Sequence, residues 1–507
     1  MRPTLYVLML AVLTLGGGCP TPEPEPAPEP TPIPAPAGPL ASDVALTLVT
    51  VNQGVAVPVI SEGVLVDARN APIVAGRPGL LRVFVTPLND FEERELVAEL
   101  TLWNGGAPEV LRETVPVEES SLSADLDTTF NFDLPASMFT SQTRFSVAVR
   151  EVDGTPRTEV EGPTWPLITT DSAPSADLGD AYDLGSADMS VSDWGAVVRV
   201  HIIPVRYDSD GSGRMPDTSD EQIELLRSVM LRIYPVREVI IEVGEVYPTS
   251  IPFDSSSEPM SDLLQEVVTL REDRGIPFDT YAYAMVNPAE TRQEYCQSGC
   301  TLGIAYRVGN PNSDHLRSGV GVGYTGSETA DTLAHEVGHN HNRGHAPCGG
   351  AGNVDADYPY ANGGTGVWGW DIVDGELKDP SEYADVMGYC SPNWISDYQF
   401  DQLWRRTAAI EGLASSWEGE VTDAWQLVSL RPGGRSKLAQ TARLTVPPDG
   451  ETSIVRLIDA HGVEVGKSTG YAVTIEDAGP GVGTLFLPAL ADNVTAVELP
   501  GGQRLLR

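Results

Sequence analysis

Four of the seven histidines fall within eleven residues, His335-Glu336-Val337-Gly338-His339-Asn340-His341-Asn342-Arg343-Gly344-His345. His335 and His339 are four apart, so on a helix their imidazoles share one face, one turn from each other. That separation lets two ring nitrogens reach a single Zn²⁺. Glu336 stands beside them, placed to take a proton from a water that zinc has polarised. A third protein ligand is needed. His341 lies about 240° round the helix from His335 and points away. His345 can return to the metal only if the helix breaks first, and Asn342 and Gly344 are residue types that tolerate the left-handed conformation of such a break. Glu376 or Asp385 could supply a carboxylate ligand in another class of zinc hydrolase, an option that His345 makes unnecessary. His201, His315 and His461 have no partner at ligand spacing and read as structural.

The elements around this run must hold it in place. Residues 197–207 read as a strand, and 219–234 as an amphipathic helix that Ser219 and Gln222 cap and Pro235 ends. Then follow a strand at 236–246, a helix at 260–274 stopped by Gly275, and a strand at 279–286. Two strand-like runs, 302–308 and 319–324, precede a helix beginning near Glu328. Downstream, Ser396 and Gln399 offer a second capping box to a helix ending near Gly412. Strands and helices alternating in this way imply a mixed sheet with helices packed on it. Upstream, 42–175 alternates with period two, as at Leu81, Val83, Val85 and at Phe145, Val147, Val149, which predicts a β-sandwich for binding or support. The acidic stretch 176–194 reads as a linker. Residues 413–507 return to short strands (442–446, 453–458, 471–475, 484–487) and predict a smaller C-terminal β-domain.

The eleven-residue run resembles the metzincin zinc-endopeptidase motif, H-E-x-x-H-x-x-G-x-x-H, with Asn342 where that family carries Gly. Asp385-Val386-Met387-Gly388-Tyr389-Cys390 resembles the family's Met-turn, which passes beneath the zinc. The resemblance covers 195–412 and implies an α/β metzincin-like catalytic domain there, so the chain reads as multidomain, that domain flanked by the two β-domains. It implies zinc on His335, His339 and His345, with Glu336 as general base and later proton donor to the leaving amine. Tyr389 would contact the metal or the oxyanion, or simply pack. The family architecture also makes 319–324 the edge strand that pairs with an extended substrate. Within the clan, the His-Glu-Val-Gly-His-Asn start looks closest to secreted bacterial enzymes that cleave mucin-type glycoproteins. The even set Cys296, Cys300, Cys348 and Cys390 suggests two disulfides, and 296–300 with 348–390 suits this picture, the second bridge stapling the two halves of the zinc site. Four cysteines allow three pairings, and spacing does not choose among them.

Composition narrows the partners. Acidic residues outnumber basic ones 72 to 32, a formal net charge of −40. Phosphate contacts require a basic surface, so nucleic acid is a poor partner. Residues 1–19 read as an export signal: Arg2, an apolar run from Leu5 to Leu15 too short to span a bilayer, and Gly16-Gly17-Gly18-Cys19, which resembles a lipobox. A Pro- and Glu-rich stalk at 20–41 follows. The expected location is the cell surface or outer membrane through a lipid anchor on Cys19, otherwise secretion. Asp208-Ser209-Asp210-Gly211-Ser212-Gly213-Arg214-Met215-Pro216-Asp217 offers oxygens that could bind Ca²⁺ or form an Asx turn, without the terminal Glu of an EF-hand. The sequence therefore points to an exported zinc endopeptidase acting on extracellular proteins or glycoproteins. The rival is a surface adhesin or carbohydrate- or protein-binding lipoprotein with an inactive protease-like core, which would have no use for an intact Glu336.

Overall fold

A computed structural model describes residues 38–152, 163–165, 185–195, 197–416 and 423–507. The export signal read at 1–19, almost all of the stalk and residues 176–184 of the linker lie outside the described residues. The molecule is multidomain and sheet-rich, with few helices. Among the described residues, no helix is long and apolar enough to cross a membrane.

Two five-stranded antiparallel sheets build the N-terminal part. In one, Val44–Asn52 lies between Ala56–Ser61 and Gly79–Pro87; in the other, Arg94–Trp103 lies between Glu109–Val117 and Arg144–Glu151. The period-two apolar residues from Leu81 to Val85 and from Phe145 to Val149 face one buried cluster. That cluster does not stop at the sheets. It continues through Leu226 and Met230 of the helix Asp220–Ile233 to Val337 and Met387, so the N-terminal sheets and the histidine run share one core.

The sheet beneath the histidine run has the order Glu238–Val243, Val197–Tyr207, Thr280–Val286, Ser318–Val322, Gly303–Tyr306. The first four strands are parallel and the last is antiparallel. Ser318–Val322 is therefore interior and buried along its whole length, which corrects the expectation that 319–324 is the edge. The reason is that it is paired on both sides, with Thr280–Val286 and with Gly303–Tyr306, while Tyr283 covers its face: a Cβ on Gly321 would lie 2.0 Å from Tyr283 Oη. Its glycines mark a crowded interior. The outer strand is Gly303–Tyr306, and Glu464–Glu476 pairs with it, Ala305 opposite Glu476 and Tyr306 opposite Ile475. The strands after 423 thus continue the central sheet as one hydrogen-bonded path.

Both capping serines act, but each capping glutamine works elsewhere. Ser219 Oγ accepts from the Gln222 amide at 3.3 Å, while the Gln222 side chain bonds Gly326 through both its ends, fixing the start of the helix Ser327–Asn340. Ser396 Oγ accepts from the Gln399 amide at 3.1 Å, and the Gln399 side chain accepts from Arg343. In the 208–217 loop Asp208 pairs with Arg206 and Asp210 with Arg214, Asp210 also caps an Asx turn to Ser212, and Asp217 accepts from the Ser219 amide and the Thr325 hydroxyl.

Candidate metal centre

The helix Ser327–Asn340 carries His335, Glu336 and His339 on its inner side. It ends because Asn342 takes a left-handed conformation, φ +66°. The Asn342 amide bonds His339 O at 2.8 Å and the Arg343 amide bonds Gly338 O at 3.0 Å, the paired bonds of a Schellman motif. This turn swings the chain back so that His345 faces the other two histidines, its ring centroid 5.3 Å from that of His335 and 4.7 Å from that of His339. His341 faces away into the core, stacked on Tyr281 and hydrogen-bonded to its hydroxyl at 3.0 Å. Burial and nearby arginines push its pKa down to about 3, so it is neutral there. Since Gly accepts this backbone more readily than Asn or any other residue with a side chain, Asn342→Gly is expected to match or exceed the wild-type thermal stability. Asn342→Val should cost about 1–2 kcal/mol, read as a lowered urea midpoint.

Each ring is oriented by a backbone carbonyl on its far nitrogen. His335 Nδ1 meets Val386 O at 2.8 Å, His339 Nδ1 meets Arg343 O at 2.8 Å, and His345 Nδ1 meets Gly352 O. A carbonyl can only accept, so all three rings hold their proton on Nδ1 and turn Nε2 lone pairs inward. His335 Nε2 and His339 Nε2 stand 3.1 Å apart, a repulsive approach unless a cation lies between them. Two imidazoles on one tetrahedral Zn²⁺, with Zn–N of about 2.0–2.1 Å, would hold their nitrogens roughly 3.3 Å apart. The donor set fits a metal of that kind.

A fourth group completes the cluster, and it comes from the end of the Glu464–Glu476 strand. Asp477 Oδ2 lies 3.2 Å from both His335 Nε2 and His339 Nε2, and Oδ1 lies 3.0 Å from His345 Nε2. The donor atoms of His335, His339, His345 and Asp477 all lie within 4.8 Å of one another. With every ring proton on Nδ1, a carboxylate and three Nε2 lone pairs face one another, an arrangement that a bound cation reconciles.

Glu336 is buried, 2% exposed, and its Oε2 has no hydrogen-bond partner. Burial drives its pKa well up, and the charges of Asp477 and Glu476 push the same way. Room for the carboxylate exists because position 303 is Gly: a Cβ there would lie 2.5 Å from Glu336 Oε1. Met387 lies under the helix against Gly338, where a Cβ would sit 2.4 Å from its Sδ. Asp385 shapes that turn by accepting from the amides of Met387 and Ser396, each at 2.8 Å. Tyr389 is half exposed, its hydroxyl 3.5 Å from His345 Nε2 and donating to Asp477 Oδ1. The disulfides are Cys296–Cys300 and Cys348–Cys390, the second tying the loop after His345 to the residue after Tyr389. A cleft of about 480 Å³ opens at the cluster, with Leu302, Asp331, Thr332 and Asn393 in its walls.

The histidines, Glu336, Met387, Tyr389 and the 348–390 bridge are thus brought together. Asp477 was not foreseen, and no motif signal marks it, since it stands far beyond His345 in an ordinary acidic pair with Glu476. Arg343 was also missed; it joins Gln399 to Asp355 and so fixes the returning turn.

Residues 308–397 match the family model Peptidase M66. No curated protein matches the chain. The match spans the whole histidine helix, its turn and the Met387 segment, and it supports a metallopeptidase with a protein substrate.

Proposed function

We propose that the chain is a zinc endopeptidase of metzincin type, exported and tethered by a lipid on Cys19 or else secreted, that cleaves extracellular proteins or glycoproteins. One observation carries this reading: three imidazoles locked by carbonyls on Nδ1 aim Nε2 at one point beside a buried, unpartnered carboxylate. When bound there, Zn²⁺ supplies Lewis acidity, polarising the scissile carbonyl and acidifying a water. The protein's groups do the rest. Glu336 takes the proton of the attacking water on its free Oε2 and passes it to the leaving amine. Its raised pKa suits a group that must hold that proton between the two transfers. The Tyr389 hydroxyl, half exposed at the cleft, donates to oxygen charge developing on the carbonyl. The two disulfides accord with an oxidising compartment. The fourth position and the cleft wall would take an extended chain, and a mucin-type glycoprotein is the narrower substrate this reading favours.

The test joins metal analysis to cleavage. Purified chain should carry one zinc, and a chelator should remove both the zinc and the hydrolysis of casein or a mucin-type glycoprotein, with zinc restoring them. A chain that takes up no zinc would sink the reading.

A further inference from the structure

The strand that carries Asp477 occupies two places at once. Glu464–Glu476 adds itself to the outer edge of the central sheet, pairing with Gly303–Tyr306. That is how an extended peptide would dock on an open strand beside a catalytic centre. Directly past the last pair the chain turns at Asp477, φ +62°, and delivers its carboxylate among the three Nε2 atoms. The segment is anchored on both sides of the turn. Asn353 Nδ2 donates to Glu476 Oε2 at 2.9 Å from the loop beyond His345, and Ser257 Oγ donates to Ala478 O at 2.7 Å. Ala478 and Ile475 are buried in the core under the sheet.

We infer that Asp477 is the fourth protein ligand of the metal and that the Glu464–Ala478 segment fills the substrate's place, so that the intact chain hydrolyses its substrate well below its capacity. This rests on the zinc-peptidase reading above. Tyr389 supplies a geometric argument for it. Its hydroxyl donates to Asp477 Oδ1, so the carboxylate sits where the oxygen of a scissile carbonyl would need that same donor. A carboxylate in this position leaves no room for an attacking water and a peptide carbonyl together. Hydrolysis then requires the segment to withdraw, whether drawn out by a substrate competing for the same edge or removed by cleavage after residue 423. What must enter is an extended polypeptide able to replace the two pairs at Ala305 and Tyr306.

The experiment compares full-length wild type with Asp477→Asn and Asp477→Ala, each loaded with Co²⁺ in place of zinc. Circular dichroism first establishes that the variants fold, and the isosteric Asn serves if the Ala variant does not. The expected result is a changed visible d–d spectrum in both variants, as a protein oxygen is exchanged for solvent. Metal loss to a chelator should quicken by about tenfold or more, in line with loss of a ligand-shell contact. Hydrolysis of an unstructured peptide by the zinc forms should rise by a similar factor, and vanish again when Glu336→Gln is added. An unchanged spectrum with unchanged chelator release would overturn the inference while leaving the zinc peptidase standing. Failure of the wild type to take up either metal would instead bring down the reading on which it rests.

Discussion

Replacing Glu336 by Gln is expected to lower peptide hydrolysis by about 10²–10⁴-fold, the usual contribution of a positioned acid–base group. Gln has the same shape, and the gap over Gly303 that accommodates the carboxylate accommodates the amide equally. Its neighbours His335 and His339 remain held by Val386 O and Arg343 O, so zinc content should stay at one per chain. Replacing a buried carboxylate that lacks a partner on Oε2 by a neutral amide should also leave the unfolding midpoint unchanged or raise it, because no charge then has to be desolvated. The variant therefore separates chemistry from structure: activity falls while metal and stability do not. Because Asp477 blocks the same centre, the comparison is best made on the Asp477→Asn background as well as on wild type. Hydrolysis persisting within roughly threefold of the parent, well short of a general-base effect, would mean another group moves the proton.

The second large effect is predicted far from the metal. Arg77 is fully buried where the N-terminal sheets meet the helix Asp220–Ile233. Its Nε donates to Gln53 O at 2.7 Å, Nη1 to Leu231 O at 2.6 Å and Val236 O at 2.8 Å, and Nη2 to Arg232 O at 2.9 Å. Three of these carbonyls lie at or just past the helix C-terminus, where they have no intrahelical partner and where the helix dipole favours a cation. One side chain thus satisfies the helix end and ties it to the preceding sheets. Arg77→Met fills a similar volume but leaves those carbonyls dry and unpaired. A loss of about 3–5 kcal/mol is expected, as when several buried carbonyls lose one charged donor together. It should be read as a drop in urea midpoint, with the N-terminal sheets and the histidine helix losing protection against hydrogen exchange together. Since the apolar cluster is continuous from Val83 to Met387, the damage should reach the site as weakened zinc retention. A change under about 1 kcal/mol, the size of an ordinary surface substitution, would show that the two parts do not depend on this contact.

The metal centre was readable wherever its geometry is local. Four-residue spacing places His335 and His339 on one helical face whatever the rest of the chain does, and an Asn able to adopt positive φ at 342 supplies the turn that brings His345 round. The capping serines 219 and 396 are readable for the same reason, each bonding an amide three residues on. Their glutamine partners were not, because a flexible side chain takes whichever acceptor the tertiary structure offers, and here Gly326 and Arg343 were nearer at hand. The outer strand of the sheet was misplaced because a strand's own residues carry no record of which neighbours it finds. Gly319 and Gly321 look like an open edge until Ala305 and Gly303 are seen paired with them. Asp477 is the extreme instance: an ordinary acid in an ordinary turn, made a probe of the metal centre only by the pairing of Glu464–Glu476 with Gly303–Tyr306. Helical periodicity and turn chemistry are written in neighbouring residues, so the sequence alone determined which groups could meet a metal. Strand order and register depend on contacts between distant segments, so the tertiary structure alone decided what stands opposite them.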